Sequence, residues 1–393
     1  MAAACALFAF AAAPAGAVTF DNNAPVSIPA GAPTTSSGPA GPYPSDVAVA
    51  GVTGPVARVN AILHGFRHEY TQDVRVLLVG PGGQSSVLMA NVGTQHVDSP
   101  APVELSFEDG GLAVPCYVND DIPLGGGVYA PTFYPSGDST GHCDSSLDTT
   151  PFQAPAPPGP YAAGLAVFNG VNPNGLWHLY VDDDSNPDTG AIDGGWSLRL
   201  TITPPAVTAP QVKGAPEVGR RLTGASGAIT NGGAAYWQWQ RCDSRGAGCK
   251  AISGATGSTY TPATADRGHT LVLAETAVNS GGSASANSAH SAVVGPPVVS
   301  TSGTRRSQNV RKQKGLVAKV SSNLAGRVSA SAKGGKLRFR GVTRTLHAGR
   351  RMTLKLRLAW GASLPGARKV ALTLRVKDTH GGATVRRMTI RVR

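Results

Sequence analysis

From Val18 to Val298 the chain alternates short runs rich in Val, Ile, Leu, Thr and aromatics with Gly, Pro, Asn and Asp turns, about every 8 to 15 residues. That rhythm predicts an all-β protein. The runs at 74–79, 177–181 and 196–202 alternate or stay apolar over strand lengths, and no 3.6-residue pattern persists beyond two turns. After a polar stretch at 301–314 the strand pattern returns. At 352–358 Met352, Leu354, Leu356 and Leu358 fall on one face and Lys355 and Arg357 on the other. Runs 370–376 and 388–393 repeat the scheme.

Pro204-Pro205 and Gly295-Pro-Pro297 mark the domain joints, because proline stiffens the chain and withholds a ladder donor. The expected organisation is a leader at 1–17, a jelly-roll sandwich at 18–203, an immunoglobulin-like sandwich at 206–294, a mobile basic linker at 295–314 and a basic β-sandwich at 315–393. A length of 393 residues fits several domains better than one core.

Charge sharpens this division. The net charge of +12 averages three unlike segments. Residues 1–203 hold 4 Arg and no Lys against 18 acids; residues 204–298 hold 7 basic and 4 acidic groups; residues 299–393 hold 24 Lys and Arg against one acid, Asp378. Such a C-terminal segment predicts an anionic partner.

Residues 2–17 are apolar and close on Ala15-Gly16-Ala17, the small-residue pattern of a leader cleaved before Val18. No later apolar run is long enough to span a bilayer as a helix. Export favours disulfides, and four cysteines remain beyond Cys5. Three pairings are open; Cys116 with Cys143 and Cys242 with Cys249 are expected, since a crossing pair would tie two domains across a joint. Zinc is the weaker reading, because neither pair has a second Cys or His pair at ligand spacing.

Residues 20–203 carry a set of motifs. Val59-Asn-Ala-Ile-Leu-His-Gly-Phe-Arg-His68 is followed by Tyr70, Asp73-Val74 and the stretch from Leu77 to Gly83. Next come Phe107-Glu-Asp-Gly110, Gly175-Leu-Trp177, Val181-Asp182, Gly190 and Trp196-Ser-Leu198. Together these resemble the P domain (P/Homo B domain) that follows the catalytic domain in subtilisin-like proprotein convertases. The resemblance implies a β jelly roll without catalytic residues that stabilises a neighbouring protease domain, with His68 in a structural role. Residues 206–294, through Tyr236-Trp-Gln-Trp-Gln-Arg-Cys242, Cys249 and Thr259-Tyr-Thr261, are similar to a bacterial immunoglobulin-like repeat whose cysteines staple a hairpin.

The chemistry of the family association is missing from this chain. The Ser, His and Asp motifs of subtilisin-like catalysis are absent, and no Ser stands on a recognisable nucleophile turn. The chain is therefore expected to bind, not to cleave. His64 and His68 do not match the helical zinc-protease spacing, because Glu69 lies outside the pair. Calcium is the better metal expectation: Asp182, Asp184, Asn186 and Asp188 alternate oxygen-bearing side chains between two apolar strands. A weaker carboxylate group is Asp73 with Glu108 and Asp109.

In the basic segment Arg338, Arg340, Lys355, Arg357, Arg375 and Lys377 are the candidate anion-binding residues. Nucleic acid, acidic polysaccharide, cell-envelope polymers and anionic lipid all suit them, because charge contacts to a polymer backbone carry no sequence information. Only Phe339 and Trp360 are available there for base stacking, which disfavours specific single-strand recognition. The expected role is a secreted, non-catalytic attachment protein. The competing roles are a stabilising partner of a separate subtilisin-like protease and an anionic glycan or nucleic-acid binder.

Overall fold

A computed structural model describes residues 16–32, 37–93, 100–115, 124–133, 151–185, 187–295, 298–322, 325–335, 337–347, 349–359, 368–378 and 383–393. The fold is all-β. Besides strands, the described residues form only three short 3-10 turns, Thr71–Asp73, Leu165–Phe168 and Thr264–Asp266. No helix among them is long and apolar enough to cross a membrane.

The chain divides into two compact units: Met1–Ala206 with Ile229–Ala235 and Ala277–Ala284, and the remainder. In the first unit a seven-stranded sheet is built around Val56–His68, whose neighbours are Trp196–Ile202, Gly190–Ile192 and Val103–Ala113. A six-stranded sheet is built around Val74–Val79 and Gly175–Asp183. Inward side chains of both sheets, among them Phe66, Phe107, Trp177 and Trp196, merge into one core. The predicted runs at 74–79, 177–181 and 196–202 are all strands. Ala17, at the expected cleavage point, pairs with Thr201.

Apart from Arg75, strand Val74–Val79 is apolar, because both of its faces are covered. Val74, Val76 and Leu78 join the main core, while Leu77 and Val79 pack with Phe152 and Tyr180 in a smaller cluster on the outer face. That cluster holds down the proline-rich segment at 151–160. Extended proline segments lack N–H donors, so their carbonyls need donors from elsewhere. The hydroxyls of Tyr43, Tyr180 and Tyr161 donate to the carbonyls of Gln153, Pro155 and Pro157 at 2.9, 3.3 and 2.7 Å.

In the second unit Trp239 is fully buried, stacks on Tyr260 at 5.6 Å between centroids and anchors a small core with Leu222, Leu271 and Leu273. The C-terminal strands enclose a separate core. Leu354 and Leu356 point into it with Leu316, Leu372, Leu374 and Ile390. The expected mobile linker at 295–314 is corrected: its described residues are built into this sandwich. Val299–Ser300 and Ser307–Gln308 are edge strands, Val310 is buried, and the Gln308 amide exchanges hydrogen bonds with both backbone groups of Val317. A low apolar count hid this, because Gln308 contributes hydrogen bonds instead of apolar area.

Candidate functional site

The C-terminal sandwich presents its charge in register. Strands Gly326–Gly334, Arg368–Asp378 and Ala383–Val392 are antiparallel neighbours, and alternate residues point outward. Directly opposed residues share a face, so the register assigns Arg327, Lys333, Arg338, Lys369, Arg375, Lys377, Arg387 and Arg391 to one outer face. All eight are exposed. Three of the opposed pairs match cation with cation: Arg327 with Lys377, Lys369 with Arg391, and Lys333 with Arg338. Like charges directly opposite are destabilising in an antiparallel pair. Between them lie Ser329, Ser331, Ala371, Thr373, Ala383, Val385 and Thr389. The one acid of the segment, Asp378, is turned inward and ion-paired to Arg267.

The six sequence candidates therefore divide. Arg338, Arg375 and Lys377 belong to the eight-cation face. Lys355 lies opposite Val317 on the outer side of the other sheet, and Arg340 and Arg357 fall outside the pairings that define the cationic face, joined by the Arg340 backbone N–H donating to the Arg357 carbonyl at 2.8 Å. Five of the eight cations, Arg327, Lys333, Lys369, Arg387 and Arg391, were missed; pairing register, not residue type, brings them together.

The acidic first unit has a buried charge cluster on strands Val74–Val79 and Gly175–Asp183. Asp182 lies opposite Arg75 and forms an ion pair with it, and Asp184 Oδ2 stands 3.5 Å from Arg75 Nε. Arg75 also covers the Phe152 ring at 5.1 Å. Asp183, on the opposite face of its strand, meets His68 Nε2 at 3.1 Å with both side chains fully buried, and His68 Nδ1 is 2.9 Å from the Tyr70 carbonyl oxygen. Asp73 is pushed up to about 7, first by burial and then by the charges of Asp184, Asp183 and Asp188. Burial also raises Asp182, outweighing the opposing pull of Arg75.

Of the four expected calcium ligands, Asn186 lies outside the described residues, Asp182 and Asp184 engage Arg75, and Asp188 is buried. No three carboxylates among the described residues bring oxygens within 4.8 Å of one another. Glu108 and Asp109 sit apart from Asp73 on the seven-stranded sheet, where Glu108 accepts from Asn60 and Asp109 from the Leu165 N–H. Cys116 and Cys143 also lie outside the described residues. Cys242 and Cys249 are joined in a disulfide, as expected.

One arrangement unforeseen in the sequence has the outline of a catalytic relay. Ser197 Oγ is 2.6 Å from His64 Nε2, and His64 Nδ1 is 3.1 Å from Glu104 Oε2. Its details oppose nucleophilic use. Ser197 is 4% exposed, donates its hydroxyl proton to Asp21 Oδ1 at 2.6 Å and sits in a strand paired on both sides. Ladder pairing occupies the local backbone N–H groups that an oxyanion would need. The row Asp21–Ser197–His64–Glu104 is a polar tie across four adjacent strands.

No family model matches the chain, and no curated protein matches it. Solved structures give distant likenesses. A tetra-tandem repeat from the extending region of a large adhesion protein aligns over 97% of this chain and 93% of that one, at 10% identity and a TM-score of 0.29. The FN1–FN3 domains of chicken CNTN1 align over 48% and 67%, at 12% identity and 0.21. A structure from a bacterial ice-binding adhesin aligns over 56% and 80%, at 13% identity and 0.19. Superpositions at these scores do not amount to a shared fold.

Proposed function

We propose that this is an extracellular, non-catalytic attachment protein that holds an anionic polymer, such as a cell-envelope polymer, on the eight-cation face. The observation that carries the proposal is the set of three opposed cation pairs on a face without an acid. That repulsion raises the energy of the free face, and a polyanion removes it by placing negative charge between the strands. The leader pattern and the Cys242–Cys249 disulfide support export. The first unit is read as a P-domain-like jelly roll, supported by the burial of its motif residues His68, Trp177 and Trp196. A stabilising role toward a separate protease rests on that resemblance alone.

The test is binding of the full chain to a sulfated glycan, a poly(glycerol phosphate) and duplex DNA across a salt series. Affinity falls linearly on logarithmic axes as salt rises, and Arg375→Ala with Lys377→Ala lowers the slope by about two. Binding that ignores both salt and these substitutions rejects the proposal.

Calcium at the acidic cluster is a second reading, favoured by the buried negative charge of Asp184, Asp183 and Asp188 acting on Asp73, with the carboxylates having to close in from their present separation to share an ion. A hard cation takes oxygen donors and would neutralise carboxylates that burial otherwise penalises. Its test is the melting temperature at pH 8 with calcium and with chelator: an upward shift with calcium supports it, and coincident curves reject it.

A further inference from the structure

The hairpin closed by Cys242 and Cys249 carries a third potential metal ligand. The two sulfurs and a ring nitrogen of His290 all lie within 4.8 Å of one another. His290 is remote in sequence, which is why the local spacing of the cysteines showed no zinc pattern. While the sulfurs are bonded to each other they are not thiolate ligands. Cys242 is buried, whereas Cys249 and His290 are exposed, so a reductant can approach from the Cys249 side.

The turn that brings the sulfurs together is held independently of their bond. Asp243 Oδ1 accepts the N–H groups of Arg245 and Ala247, both at 2.8 Å. The Asp243 N–H donates to the Ala247 carbonyl at 2.8 Å, and the Gly246 N–H to the Asp243 carbonyl at 3.1 Å. Gly246 has φ +88°, and a Cβ there would stand 3.1 Å from the His290 ring, so the ring rests against the turn. A cut disulfide therefore leaves its two thiols beside the imidazole.

We propose that the reduced hairpin is a Cys242–Cys249–His290 zinc site. A dithiol reductant supplies two electrons and two protons: the S–S bond breaks, two thiols form, and the reductant becomes its own disulfide. Zinc then displaces both thiol protons and accepts one neutral imidazole nitrogen. Ligand bonds of about 2.0–2.3 Å in a tetrahedron set donor atoms about 3.3–3.8 Å apart, a spacing the sulfurs reach only once their bond is cut and one below the 4.8 Å within which all three donor atoms now lie. Three protein ligands leave a fourth position for water or an external group.

The test uses cobalt as a spectroscopic stand-in for zinc, added to the full chain after reduction with a phosphine. The phosphine is oxidised to its oxide by oxygen from water. The expected result is a thiolate-to-cobalt charge-transfer band with tetrahedral d–d bands in the reduced chain, bleached by zinc and absent from the oxidised chain. His290→Ala weakens cobalt binding at least about tenfold, while Cys116→Ser with Cys143→Ser leaves the bands in place. Bands that survive His290→Ala at full affinity, vanish with the Cys116 and Cys143 substitutions, or appear equally in the oxidised chain overturn the proposal.

Discussion

Arg75 and Asp182 face each other across neighbouring antiparallel strands and form an ion pair with 4% and 1% of their side chains exposed. A pair so deep is sensitive to the loss of one partner, because the other is left charged and without water. Arg75→Met is expected to cost about 3–5 kcal/mol in chemical denaturation. Arg75→Met combined with Asp182→Leu is expected to recover part of that loss. If the double substitution is as damaging as the two single costs added together, the two side chains are not coupled.

The same cluster sets a pH dependence. Asp73 rises from 3.8 to about 7 in the folded chain, so between those values the folded state binds more protons than the unfolded state. Stability from this group is therefore highest below about pH 4 and falls as pH rises toward 7. In chelator, the transition of the first unit should come at higher temperature at pH 5.5 than at pH 8. Asp73→Asn should raise the pH 8 value and flatten the difference. A wild-type transition unchanged between these pH values contradicts the cluster's charge state.

Strand positions in the first unit were legible because their pattern reports burial: Trp177, Val181, Trp196 and Leu198 mark core-facing positions directly. The sides of that pattern were harder to see. Val74–Val79 reads as a run without alternation, and nothing local shows that residues 151–160 cover its second face. Asp182 and Asp184 looked like cation ligands because Arg75, their partner, lies over a hundred residues upstream. The cationic face was half visible: composition pointed to the segment, but only the pairing of Arg327 with Lys377 and of Lys369 with Arg391 gathers the charges.

Glu275 is a buried anchor of the second unit, fully enclosed and accepting from Ser226 Oγ, the Gly227 N–H at 2.8 Å and Trp237 Nε1 at 3.0 Å. Burial pushes its carboxyl up, but the three donors outweigh burial and leave it below its ordinary value. The charged form is thus favoured by folding, so its contribution is present above the unfolded pKa and is lost as pH falls through the folded one. Glu275→Gln sets an amide against three donors and should cost about 1–3 kcal/mol at pH 7, with a smaller penalty in acid. An equal penalty at both pH values would mean that shape, not charge, is what Glu275 supplies.

On the cationic face, stability and binding should move in opposite directions. Lys377→Glu replaces one half of the Arg327–Lys377 opposition with an attractive pair, a change of roughly 0.2–1 kcal/mol toward greater stability at low salt. The same substitution puts negative charge in the path of the polymer and should weaken polyanion binding while lowering its salt slope. Thr373→Glu, beside Arg387 in register, should do likewise, although Thr373 was never cationic. Adding salt or polyanion should raise the melting temperature of the unsubstituted chain and narrow its gap to Lys377→Glu, since both relieve the same repulsion. A Lys377→Glu chain that is less stable at low salt, or that binds polyanion as tightly as before, would show that the opposed cations neither strain this sheet nor face the ligand.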